Sequence, residues 1–339
     1  MAMMRAPVRF FLAASMVWLA AAFLAPAYAQ QQQQPTTVNP TAQSVKEQEL
    51  LKELKKIQGR GTLPDARSQV LEQPAGRDWR QFQQVTLRWI GAVAILGMLA
   101  LLIVFYLIRG MVRIENGRSG RTLVRFNSFE RFVHWMTATS FIVLALSGLN
   151  ITFGKELLTP LLGAEVFASW SQWAKYAHNY LSFPFTLGVV LMFLMWIAWN
   201  LPSGVDFRWV RQGGGIVGSQ HPPARRFNAG QKLIYWFVVL GGGAVAITGY
   251  LLMFPFYTVP LYATDVAGMQ LAQMVHGIVG VLFVAIMLAH IYIGTIGMEG
   301  AFEAMGKGEV DINWAQQHHS LWLEKQNAKG RAGGVAPAE

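Results

Sequence analysis

The chain has no cysteine. That absence excludes thiolate metal sites, covalent c-type haem attachment, iron–sulfur ligation by this chain and any disulfide framework. Charge is also scarce: Asp, Glu, Lys and Arg make up 14% of the 339 residues, against roughly 25% in soluble domains. No phosphate-cradling glycine loop, Ser/His/Asp set or pair of carboxylates is present, so hydrolytic and nucleotide chemistry have no footing. With sulfur gone, histidine is the main candidate for holding a redox metal, and there are seven. The net charge of +10 does not argue for nucleic acid, because the basic residues sit at the ends of apolar runs, where they report membrane topology.

What the chain has in quantity is apolar sequence, 53% of its residues. Residues 1–29 read as a secretory signal: Arg5 and Arg9, a short apolar core, then Ala27-Tyr28-Ala29 as a cleavage site. Residues 30–86 open with a glutamine run and form a periplasmic segment. In it, Leu50, Leu51, Leu54 and Ile57 recur at helical spacing among alternating charges. Five stretches are then long enough to cross a hydrocarbon core of about 30 Å: residues 89–108, 132–153, 177–200, 233–254 and 272–296. Six arginines lie between the first two spans. Arg208, Arg211, Arg225, Arg226 and Lys232 lie between the third and fourth, while the other two connections are poor in basic residues. The positive-inside rule therefore puts the mature N-terminus outside and the C-terminus inside, in agreement with the signal sequence. The predicted fold is an all-α integral membrane bundle of five spans.

Four histidines fall within these spans. His134 lies at the inner end of the second, His178 opens the third at its outer end, and His276 and His290 lie near the outer and inner ends of the last. An ionisable residue at such depth is a functional candidate, because an unpaired polar group there is costly. His276 and His290 are separated by about 3.9 turns and about 21 Å of rise, so both look out from nearly the same side of one helix. At each depth one partner waits on another span. His178 pairs with His276 and His134 with His290, since the opposite pairing would reach across most of the bilayer. Two bis-histidine sites stacked along the membrane normal suit two low-spin haems, whose irons take two axial imidazoles each. Structural zinc needs four ligands at one point. Gly277, Gly280 and Gly294 beside these histidines offer room for a flat macrocycle or, equally, for close helix packing.

Several stretches now resemble a known family. Arg131-Phe-Val-His134-Trp135 runs into Ala145-Leu-Ser-Gly148. Arg226-Phe-Asn-Ala-Gly-Gln-Lys232 follows, then Val275-His276-Gly277, Ala289-His290-Ile-Tyr292 and Trp314-Ala-Gln-Gln-His-His319. Over residues 122–325 the chain is similar to the gamma subunit (cytochrome b556) of respiratory membrane-bound formate dehydrogenases, in a longer form with a signal peptide and an extra span. The resemblance implies two b haems on His134, His178, His276 and His290 within a four-helix dihaem domain at 110–300, preceded by an extra span at 87–109 and followed by a cytoplasmic tail at 301–339. It implies a multi-pass protein of the bacterial inner membrane. Its partners would be a periplasmic iron–sulfur subunit, through it a molybdenum- or tungsten-containing catalytic subunit, and the membrane lipid. It also places quinone reduction on the cytoplasmic side, beside Asn228, Gly230 and Gln231. From the residues alone, Asn228 is equally a good helix N-cap.

The remaining candidates read more plainly. His318 and His319 are expected to be a solvated pair in the tail, with Trp314 and Trp322 folding the tail against the membrane surface. Arg125, Arg131 and Lys232 are basic anchors, with pairing to haem propionates as the alternative. Three functions compete: an electron-transfer subunit of a formate dehydrogenase or of a hydrogenase-type complex, a transporter, and a haem-free anchor. The spans contain no carboxylates and no evident inverted repeat, which weighs against transport.

Overall fold

The computed structural model describes residues 74–215, 221–255 and 266–332. The leader, the glutamine run and the 44–57 helix expected above lie outside them. The chain divides after Arg80. Of the first unit the described part is the start of helix α1 (Pro74–Gln81). The second unit comprises α2 (Leu87–Arg109), β1 (Thr122–Val124), α3 (Ser128–Leu157), α4 (Thr159–Leu162), α5 (Ala164–Trp196), α6 (Gly204–Arg211), α7 (Ala229–Met253), α8 (Val266–Tyr292), α9 (Ala301–Gly306), β2 (Glu309–Asp311) and α10 (Ile312–Ala332). Among the described residues five helices are long and apolar enough to cross a membrane, built on α2, α3, α5, α7 and α8. The chain is a multi-pass helical membrane protein.

The spanning helices overrun their apolar stretches. α5 begins at Ala164, so His178 lies fourteen residues inside a helix that starts well before the apolar stretch. The extra turns carry Glu165 and Lys175 and form no apolar run, which is why their helicity is hidden in the hydropathy pattern. Helix starts are set by local chemistry. Asn127 and Glu130 form a capping box at α3, Ser203 and Asp206 one at α6, and Asn228 and Gln231 one at α7. At α3 and α7 the Asn oxygen takes a first-turn N–H that would otherwise lack a partner, and at α6 the Asp206 carboxylate accepts from the Ser203 N–H and hydroxyl.

Close packing joins the spans through small residues, as it must where no hydrophobic force separates helix from lipid. Gly188 lets α5 approach α3 so closely that any Cβ there would overlap the Thr137 hydroxyl. α2 lies along α8: Leu87 covers Gly277, a Cβ at Gly91 would sit 3.1 Å from Val281, and Phe105 stacks edge-on against Tyr292 at 6.3 Å. Arg88 fastens α2 to α3, pairing with Glu156 at 2.7 Å and donating to the Thr152 carbonyl at 3.1 Å. Gly277 is thus occupied by helix packing.

One end of the bundle is closed by the C-terminal tail. β1 and β2 pair antiparallel, setting Leu123 opposite Val310. α10 then packs Trp314, Ala315, Trp322 and Leu323 into a buried cluster with Phe126, Trp196 and Phe227. The two tail histidines are not solvated: His319 is 0% exposed and His318 7%. Their burial follows from Arg125, whose guanidinium is stacked over Trp314 and Trp322 and donates to the Arg226 carbonyl and to His319 Nε2 at 3.1 Å. Because arginine only donates and a carbonyl only accepts, His319 is the neutral Nδ1–H tautomer, giving that proton to the Arg225 carbonyl at 2.7 Å. Trp314 and Trp322 are likewise inside the protein rather than spread on the membrane surface.

Burial, and after it the charge of Arg125, hold His319 well below the usual histidine value. Burial, then His221 and Arg125, push His318 down to about 4. A histidine whose folded value is depressed binds more protons when released, so stability rises with pH. We expect the tail-docked fold to be fully stable above pH about 6.5 and to lose stability as the pH falls toward 4. Melting temperatures measured across that range should therefore drop, and His318→Phe should flatten the slope; a flat parent curve would show that these rings stay docked when protonated.

Candidate haem site

The four candidate histidines meet in two couples. His178 on α5 faces His276 on α8 with ring centroids 6.1 Å apart. His134 on α3 faces His290 on α8 at 6.2 Å. The first couple lies far from the tail and the second near it, because α3 starts and α8 ends at the tail-capped end. Between the two levels the bundle is filled by Phe141, Phe185, Phe237 and Phe283, with Phe141 and Phe283 centroids 4.9 Å apart. Phe283 is seven residues from each α8 histidine, midway along the rise that separates them.

The spacing of each couple has a chemical meaning. A metal–imidazole bond is about 2 Å and a ring nitrogen lies about 1 Å from its ring centre, so two imidazoles ligating one ion from opposite sides have centroids about 6 Å apart. Both couples show that separation. Rings in direct hydrogen-bond or stacking contact would not require it at two levels of one bundle.

The couple far from the tail is also oriented for ligation. Ser147 Oγ donates to the Val143 carbonyl at 2.6 Å and lies 2.8 Å from His178 Nδ1. Thr248 Oγ1 donates to the Ala244 carbonyl at 2.7 Å and lies 3.0 Å from His276 Nδ1. Each hydroxyl proton is spent on its own helix, so each oxygen accepts from the ring. The imidazole proton is then on Nδ1, leaving the Nε2 lone pair for a metal. A glycine follows each hydroxyl. A Cβ on Gly148 would stand 3.5 Å from His178 Cε1, and one on Gly249 3.2 Å from His276 Cε1. The Ser-Gly and Thr-Gly pairs thus cradle the two rings. The repeated hydroxyl–glycine pair, Ser147-Gly148 and Thr248-Gly249, is the sequence signal of this cradle.

The donor sets fit haem and not a structural zinc. Among the described residues no group of three or more His, Cys, Asp or Glu side chains converges. Among the described residues nothing lies within 4 Å of where a Cβ on Gly280 or Gly294 would stand. Arg125, Arg131 and Lys232 all have protein partners. Arg125 is in the tail cage. Arg131 donates to the Gly306 carbonyl, and buried Lys232 pairs with Asp206 at 2.8 Å and donates to the Leu201 carbonyl.

Asn228, Gly230 and Gln231 stand at the tail end of α7. Asn228 Oδ1 accepts from the Gln231 backbone N–H at 2.9 Å, and Gln231 Oε1 from that of Asn228 at 3.1 Å. Both carboxamide oxygens are committed to the cap, and what remains to offer a ligand is their NH2 groups. A Cβ on Gly230 would lie 3.2 Å from the Trp209 ring, so the tryptophan walls this turn.

A membrane-embedded bundle with opposed imidazole couples is a b-type cytochrome. Residues 125–308 match the family model for prokaryotic cytochrome b561, and the chain belongs to that family of haem b proteins. It is 28% identical over 206 residues to the cytochrome b556(fdo) subunit of formate dehydrogenase from Escherichia coli strain K12, covering 60% of this chain and 93% of that one. It is 25% identical over 216 residues to the nitrate-inducible cytochrome b556(Fdn) subunit of the same organism, 62% and 95% of the two chains. A formate dehydrogenase cytochrome b556 subunit from Haemophilus influenzae strain Rd is 23% identical over 223 residues, 64% and 88%.

Gly249 offers a test of ring seating. Gly249→Ala places a methyl against His276, whereas Gly243→Ala meets nothing within 4 Å. Reduced-minus-oxidised spectra of membranes should lose or shift up to half of the haem b absorbance in the first variant and match the parent in the second. Identical spectra for both would remove the cradle from the site.

Proposed function

We propose that the chain is the cytochrome b subunit of a respiratory formate dehydrogenase complex. It would hold two b haems, one between His178 and His276 and the other between His134 and His290. It would carry electrons from a periplasmic iron–sulfur subunit, itself supplied by a molybdenum- or tungsten-containing catalytic subunit, to quinone on the cytoplasmic side. The observation that carries this reading is the two opposed imidazole couples at metal-bridging distance, spaced along α8. Haem held by a pair of these histidines would supply a one-electron couple closed to oxygen, suited to electron transfer. The names of the relatives support formate as the source of electrons. The basic residues clustered at the tail end, Arg208, Arg211, Arg225 and Arg226 among them, support a cytoplasmic tail.

The chain's own groups then divide the work. The histidines fix each macrocycle at its depth, and the phenyl-filled middle of the bundle keeps water out between the two levels. At the tail end, Asn228 and Gln231 present amide donors to the carbonyl oxygens of a quinone, with Gly230 and Trp209 shaping the approach.

Two measurements test this. A pyridine haemochrome assay should give about two haems per chain, falling to about one in each single alanine variant of the four histidines. Four variants that keep the full count would sink the assignment. For the quinone end, the substitutions must spare the cap: Asn228→Asp with Gln231→Glu retains the capping oxygens and removes the NH2 donors. We expect both haems to persist and quinone reduction to slow by on the order of tenfold or more, the cost of leaving a carbonyl unpaired. Unchanged turnover would assign these residues to capping alone.

A further inference from the structure

The two imidazole couples are built differently. On His178 and His276 the Nδ1–H of each ring is given to a hydroxyl, Ser147 at 2.8 Å and Thr248 at 3.0 Å. In the other couple, the buried Nδ1 of His134 has no hydrogen-bond partner among the described residues. Each hydroxyl comes from the span next to its histidine in sequence, α3 for α5 and α7 for α8, and each is oriented by its own helix carbonyl. This is therefore a set geometry rather than a chance contact. A ring that donates from Nδ1 is a more basic ligand through Nε2. A more basic imidazole ligand stabilises the ferric over the ferrous state, so a hydroxyl that accepts from its Nδ1–H would tune the haem potential.

We propose that Ser147 and Thr248 are positioning residues that lower the reduction potential of the haem held by His178 and His276 relative to the one held by His134 and His290. Resting on the dihaem reading above, this gives the wire a built-in slope: the electron enters at the more reducing site and leaves from the less reducing one. No bond forms or breaks and no proton is taken up at the iron; the hydroxyls act only by biasing a one-electron couple.

The test is a redox titration of the full chain in its membrane, followed at the haem b absorbance. The His276→Ala variant, which removes the outer ligand, identifies which couple belongs to that level. Ser147→Ala with Thr248→Val should raise the potential of that couple. The shift expected is about tenfold in its reduction equilibrium, or about 59 mV for one electron, with the other couple unmoved and the haem count unchanged. Ser147→Thr with Thr248→Ser, which keep both oxygens, should titrate as the parent. If the double variant loses haem, Ser147→Cys alone supplies a weaker acceptor and should shift the same couple in the same direction. Intact haem with no shift, a shift downward, or an equal shift in both couples would overturn the proposal. A parent chain containing fewer than two haems would instead overturn the dihaem reading on which it rests.

Discussion

A histidine inside hydrocarbon is costly while its ring nitrogens lack partners, and the bundle gathers four such rings two by two. Helix α8 supplies two of the rings from one side, which forces α5 and α3 to bring theirs to matching depths. The spans then have little freedom left. α3 and α5 are pressed together at Gly188 and Thr137, and α7 is drawn against α8 by the Thr248–His276 contact. The extra helix α2 lies on the outer flank of α8 through Leu87 on Gly277. It braces the helix that carries both couples, one residue from His276 at one end and two residues from His290, at Tyr292, at the other.

The tail shows a second demand of the same kind met by other means. Arg125 is 3% exposed, and a guanidinium there needs both hydrogen-bond acceptors and something to screen its faces. It takes the Arg226 carbonyl and the free nitrogen of His319 as acceptors, and Trp314 and Trp322 as faces. Glu130 balances the cluster by pairing with Arg226 at 2.7 Å and accepting from Trp196 at 2.8 Å. The cap over the tail end is therefore polar in its middle and aromatic around it.

Periodicity and charge reveal much of this architecture in the sequence. Five uncharged runs announce the spans, and the fourteen-residue spacing of His276 and His290 on one helix already implies pairing by depth. Non-local polar contacts are what the sequence hides. His319 meets Arg125 across 194 residues of chain, so His318 and His319 look like an ordinary solvated pair until the tail is seen folded back. Ser147 and Thr248 are silent for another reason: a hydroxyl in an apolar helix usually bonds its own preceding carbonyl, and nothing local tells whether its oxygen also serves a neighbour. The start of α5 at Ala164 is hidden because its first turns, which carry Glu165 and Lys175, form no apolar run.

Two capping boxes at the same end of the bundle show how one local device leaves different chemistry behind. At α3 the cap uses Asn127 and Glu130, and the second carboxylate oxygen of Glu130 is left as an acceptor, which Trp196 and Arg226 take up. At α7 the cap uses Asn228 and Gln231, and with both oxygens spent the remainder is amide N–H, a donor set without charge. A carboxylate in that position would only accept, whereas the carbonyl oxygens of an oxidised quinone need a donor. The carboxamide satisfies the helix end and still presents donors. Helix capping and the proposed quinone contact are thus compatible at Asn228 and Gln231, because the cap uses the two oxygens and leaves the NH2 groups.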